Sequence, residues 1–243
     1  MNQTEIYFSE IEMLNEIERR KKVIERILIH LPELRKIKSK REDPFEILIG
    51  TILSQNTSDI NSSKGMISLQ TNVGVSPELL SNAKLDRIKD AIKSAGLYNI
   101  KGPRIKNVAY FVKNNFKKGF NEILSKPDSE IRKILTNIHG IGPKTSDIFL
   151  AFAVGRDIIP VDTHVNRVAK RLGFTNVSSG YEKVQKSLQL ASPKGRRIHT
   201  HRSLIRLGKE ICISRRPRCE ICPVSDICPS DKSLGNINGD HLH

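Results

Sequence analysis

Apolar positions along this chain recur at intervals of three and four, the spacing that gathers side chains on one face of a helix. Ile17, Ile24, Ile27, Leu28 and Leu31 mark an early helix. Phe45, Leu48, Ile49 and Ile52 mark a second, which starts just after Pro44, a residue suited to the first helical position. Further stripes follow at Leu85, Ile88 and Ile92, at Ile105, Val108, Ala109 and Val112, and at Ile131, Ile134 and Leu135. Residues 145–154 are apolar on most faces and predict a buried helix. Val165, Val168, Ala169 and Leu172 continue the pattern, as do Leu204, Ile205, Leu207 and Ile211. Period-two alternation never extends beyond a few residues, and hairpin dipeptides flanked by β-branched runs are absent. The pattern predicts an all-α fold, with helix connections at 125–128, 155–157 and 191–195.

The 243 residues, 37% of them hydrophobic, suffice for one large or two modest domains with an ordinary core. Lys and Arg outnumber Asp and Glu by 41 to 26, a formal net charge of +15, which makes a polyanion the first partner to consider. Solubility alone is the competing explanation. Basic clusters at Arg19–Lys22, Arg35–Arg41, Lys194–Arg197 and Arg215–Arg218 spread the charge along the chain. That distribution favours an extended basic surface on a folded body over a charged tail. Neither a charged-then-apolar leader nor an apolar run of bilayer-spanning length is present, so an intracellular protein outside the membrane is expected.

Two short stretches carry candidate chemistry. Residues 134–149 read as a helix end, a Gly-x-Gly turn and a new helix after Pro143. Gly140 and Gly142 allow left-handed backbone angles and put no side chain between the turn amides and an approaching group. With the free N–H groups of the next helix they form a candidate phosphate site, although a plain interhelical turn has the same spacing. Lys144 sharpens the first reading: its charge opposes the helix dipole, one route by which an amine becomes a nucleophile. In the second stretch, Ile158–Val165, Asp162 is either a helix N-cap or a carboxylate kept ionised beside a developing positive charge. His164 reads as a packing or hydrogen-bonding residue beside it.

All four cysteines, Cys212, Cys219, Cys222 and Cys228, fall within one segment with the spacing C-x6-C-x2-C-x5-C. In a reducing compartment this argues for a metal or cluster site over two disulfides. One C-x2-C pair with unequal flanking gaps suits a [4Fe–4S] cluster better than the paired knuckles of structural zinc, with zinc as the alternative. Arg215, Arg216 and Arg218 lie in the loop between the first two cysteines, where a structural cluster would brace them against a DNA backbone.

Taken in order, Gly140-Ile141-Gly142-Pro143-Lys144, Val161-Asp162-Thr163-His164 and the cysteine motif resemble the endonuclease III family of helix-hairpin-helix DNA glycosylases. The likeness extends to 44–48, to 53–59 and to 94–99, and so spans about residues 40–228. It implies two helical domains flanking a DNA-binding cleft. One is a six-helix barrel with the helix-hairpin-helix over 37–156; the other is an iron–sulfur domain from 1–36 and 157–230, followed by a flexible tail at 231–243. It implies a monomer acting on double-stranded DNA with a damaged or abasic site, the expected lesion being an oxidised pyrimidine. Lys144 matches the lysine that attacks sugar C1′ and forms a Schiff base before β-elimination. Asp162 matches the carboxylate that helps deprotonate that lysine and stabilises the positive sugar. Leu97 matches a wedge pushed into the duplex when the nucleotide flips out.

Two positions depart from the family pattern. Asn56 stands where bacterial relatives have the glutamine that fills the vacated space, with Gln55 adjacent, so either could serve. His139 replaces a proline before the hairpin. The competing functions are a mismatch-specific glycosylase of the same fold, in which another residue commonly replaces the lysine, and a non-catalytic DNA-binding module.

Overall fold

The computed structural model describes residues 3–32 and 43–230, with side chains from residue 13 onward. The basic run at 35–41 and the expected tail at 231–243 lie outside the described residues. Helices make up the regular structure, and the described residues contain no strand. The fold is all-α. No helix among them is long and apolar enough to cross a membrane.

The chain divides into two compact units, Lys38–Arg156 and Met1–Ile37 with Asp157–His243. The first contains α2 (Pro44–Ser54), α3 (Asp59–Asn72), α4 (Pro77–Asn82), α5 (Leu85–Ala91), α6 (Tyr98–Asn115), α7 (Asp128–Thr136) and α8 (Pro143–Phe149). α2 starts where the sequence indicates: Pro44 needs no N–H partner, and the Asp43 carboxylate accepts from the amides of Phe45 at 2.8 Å and Glu46 at 3.2 Å. Its apolar stripe is buried, and α2 packs against α3, α6 and α8. Phe120 sits between Phe45 and Phe149, with ring centroids 6.4 and 5.7 Å away, tying the ends of this unit's sequence to one core.

The buried helix expected over 145–154 is only partly observed. α8 ends at Phe149 and widens into a π-helical turn, Leu150–Val154, which closes on Gly155 at φ +79°. Phe149, Leu150 and Ala151 are buried, but Phe152 faces solvent. An apolar stretch without a period gives no signal for where one face emerges.

The second unit contains α1 (Gln3–His30), α9 (Thr163–Arg171), α10 (Tyr181–Ala191) and α11 (Arg197–Glu210). Val23, Ile24 and Ile27 of α1 pack into a core with Val165 and Val168 of α9 and Leu204 of α11. Here one sequence expectation is corrected: Arg19 and Arg20 are not part of an open basic surface. Both are half-buried and both bond to Glu16. Arg19 also donates to the carbonyls of Leu172 at 3.0 Å and Ile227 at 3.1 Å, and Arg20 to that of Gly173 at 3.2 Å. The Glu16 carboxyl is held below the usual glutamate range, chiefly by the Arg19 hydrogen bond against the opposing effect of burial. These arginines staple the first helix to the C-terminal segment.

Candidate active site

α7 and α8 are joined by the turn that carries Gly140 and Gly142. Gly140 has φ +88°, the left-handed region that glycine enters without cost. Gly142 does not share it: at φ −105° and ψ −178° it is extended backbone capping α8, which corrects the expectation of left-handed angles at both. A β-carbon on Gly142 would meet open space, whereas one on Gly140 would collide with the Arg104 side chain. Lys144 follows in the first turn of α8, exposed, with no hydrogen bond or ion pair among the described residues.

Arg104 had no sequence signal. It donates to Gln55 Oε1, and Gln55 Nε2 donates to the hydroxyl of buried Thr145 at 3.3 Å. Gln55 is thus engaged beside the lysine hairpin, while the neighbouring Asn56 is exposed at φ +51°. Leu97, the N-cap of α6, is likewise left-handed at φ +49° and 48% exposed, an uncommon state for a bulky apolar residue. Arg216 at φ +55° is the third non-glycine residue of this kind among those described, and it is exposed with Arg215 and Arg218. All three strained positions are among the DNA-contact candidates picked from sequence. Backbone strain of about 1–3 kcal/mol per residue persists where the surroundings impose it, and it concentrates at functional sites.

Asp162 is the N-cap of α9, its Oδ1 accepting from the Val165 amide at 2.7 Å. The capping interpretation therefore holds, and it leaves Oδ2 without a hydrogen-bond donor among the described residues. His164 accepts through Nδ1 from Arg167 at 3.2 Å, and Arg167 also donates to the carbonyls of Gly208 at 2.8 Å and Cys212 at 3.1 Å.

The four cysteines form no disulfide with one another and line one cavity of about 300 Å3, closed on its apolar side by Leu172, Leu207 and Ile211. Among the described residues no three His, Cys, Asp or Glu side chains converge tightly enough to hold a single ion. All four cysteines line the same cavity. That suits a body with several irons, each taking its own thiolate. Arg171 supplies positive charge at its edge, donating to Cys212 Sγ at 3.5 Å and to the Ile213 carbonyl at 2.7 Å.

Comparison with known proteins places this geometry. The model of the HhH-GPD superfamily of base excision DNA repair proteins matches residues 49–194, and that of the iron–sulfur binding domain of endonuclease III matches residues 212–228. Endonuclease III of Sulfolobus acidocaldarius is 33% identical over 190 residues, covering 78% of this chain and 83% of that protein. The chain belongs to the endonuclease III family. A solved endonuclease III trapped covalently on DNA superposes with a TM-score of 0.77 at 26% identity, covering 90% of this chain and 98% of that one. A thermostable thymine-DNA glycosylase shares the fold, with a TM-score of 0.74 at 23% identity over 89% and 98% of the two chains. As a member of the endonuclease III family, the protein is a base-excision DNA glycosylase that binds DNA and carries a [4Fe–4S] cluster.

Proposed function

We propose that this glycosylase is bifunctional, excising oxidised pyrimidines from double-stranded DNA inside the cell as a monomer and then cutting at the abasic site. The observation that carries the reading is Lys144, an exposed and unpaired amine directly after the Gly140–Gly142 turn. In its neutral form, Nζ attacks C1′ of the flipped nucleotide while the glycosidic electron pair leaves with the base, which takes up a proton. Loss of a proton from nitrogen and opening of the sugar give a C1′ Schiff base. Removal of a C2′ proton then sends an electron pair through the chain to expel the 3′ phosphate. Asp162 matches the family's carboxylate, and its part in the first step is to help deprotonate the lysine and to offset positive charge on the sugar, in addition to capping α9 through Oδ1.

Gly140 sets the left-handed turn and Gly142 leaves open space beside its amides for a backbone phosphate, and Arg215, Arg216 and Arg218 add phosphate contacts. Leu97 is the wedge. Asn56 fills the vacated space, because Gln55 is bonded to Arg104 and Thr145. Cys212, Cys219, Cys222 and Cys228 hold the cluster, which keeps the basic loop in shape.

Borohydride trapping on duplexes with thymine glycol, an abasic site, or a G·T or G·U mismatch tests the reading. The enzyme should be trapped on the first two, and Lys144→Gln should abolish trapping while leaving DNA affinity largely intact. Excision confined to mismatches without trapping would make it a monofunctional enzyme; trapping that survives Lys144→Gln would put the nucleophile elsewhere.

A further inference from the structure

Lys101 is a buried lysine that the proposed chemistry does not use. It is 1% exposed, yet its Nζ carries two hydrogen bonds, to the carbonyl of Leu53 at 2.8 Å and to that of Ala95 at 2.8 Å. Burial, with a smaller contribution from nearby Arg104, holds its pKa below the ordinary lysine range. An ammonium removed from water is costly, and an apolar side chain of similar length would fill the space without that cost. The two carbonyls explain what it does. Leu53 lies at the end of α2, three residues before Asn56, and Ala95 lies two residues before Leu97. Asn56 and Leu97 are two of the three left-handed non-glycine residues among those described, and both are exposed.

The loop at Leu97 is backed from two further directions. The Lys101 amide donates to the Leu97 carbonyl at 2.9 Å. A β-carbon on Gly65 of α3 would come within 2.9 Å of the Ala95 β-carbon, so the helix backbone itself lies against the loop. One nitrogen therefore joins two loops from distant parts of the sequence, each of which ends in a strained, solvent-facing residue.

We propose that Lys101 is a positioning residue that couples the two base-probing loops, so that Leu97 and Asn56 enter the duplex as a single rigid unit. The proposal rests on the assignment of those two residues to base displacement. Unstacking a base pair has to be offset by contacts formed at the same moment, and a loop free to relax back would lose that advantage. Leu97 in particular can hold its left-handed backbone under load only if the turn leading into it, whose Ala95 carbonyl Lys101 binds, is fixed.

Lys101→Met keeps the stem and removes both donors. Base release from a lesion paired in duplex DNA should fall roughly 10- to 100-fold, the loss expected for charge-assisted hydrogen bonds. Base release from the same lesion in single-stranded DNA, where nothing needs to be displaced, should fall by less than about threefold by the same argument. Leu97→Ala should show the same split, and the double variant should lose little more than either single one. Should the Met variant fail to fold, Lys101→Gln, too short to reach both carbonyls, gives the same comparison. Equal losses on the two substrates, or additive losses with Leu97→Ala, would overturn the proposal. The Schiff-base chemistry is judged separately, by whether the unaltered enzyme is trapped on abasic DNA, since base release is read here without any trapping step.

Discussion

Two glycines two positions apart in the hairpin lack a side chain for different reasons. Gly140 needs its positive φ and the space occupied by Arg104, whereas Gly142 has an ordinary extended backbone and open space where a methyl would go. Gly140→Ala should therefore destabilise the protein by roughly 1–3 kcal/mol and loosen the Arg104–Gln55 bond. Gly142→Ala should change stability by less than about 0.5 kcal/mol but weaken DNA binding, because its methyl would stand in the open space proposed for a phosphate. Thermal unfolding and a binding titration separate the two; equal stability losses would mean that backbone strain does not distinguish them. Lys144, Asp162 and the cysteines stand out in the sequence as candidates because each sits in a local motif: a Gly-x-Gly turn, a helix start and a cysteine spacing. Arg104 and Lys101 do not, since their partners lie 49 and 48 residues away and an arginine or lysine on a helix reads as solvated surface until the fold buries it.

Helix starts were the most readable elements, and they also separate structural from chemical roles. Asp43 before Pro44 and Asp162 before Thr163 both cap helices through a side-chain oxygen, so the same residue type in the same position need not be catalytic. Asp162→Asn tests this directly, because asparagine caps as well as aspartate but carries no charge. Helix α9 and the melting temperature should be preserved while base excision falls by two orders of magnitude or more, a barrier increase of about 2.7 kcal/mol. Asp162→Ala should lose activity and about 1 kcal/mol of stability together. Full activity in the asparagine variant would reduce Asp162 to a cap. Helix ends were less readable: the π-helical turn after α8 lies in a run, Ile148–Val154, that is apolar at every position, so no periodicity marks the boundary.

On the scale of the whole molecule, the two units are sustained by different means. Lys38–Arg156 has its own aromatic core around Phe120. The segment from Cys212 to Cys228 has only two single-turn helices, Cys219–Ile221 and Ser225–Ile227, neither containing a buried residue, and Val224 is its one fully buried apolar anchor. So little apolar burial cannot order a loop of that length against its conformational entropy, and the cluster has to supply the difference. Arg19 depends on the result, because it donates to the Ile227 carbonyl, as does Arg26, which pairs with Asp226 at 2.6 Å. Removal of the cluster by oxidation and chelation should therefore release amide protection first in residues 212–228 and next in α1 and α9. Protection in α2, α6 and α8 should persist, as measured by hydrogen exchange on the full chain. Simultaneous loss throughout would mean that the two units unfold as one, and unchanged protection around the cysteines would mean that the loop is held by the protein alone.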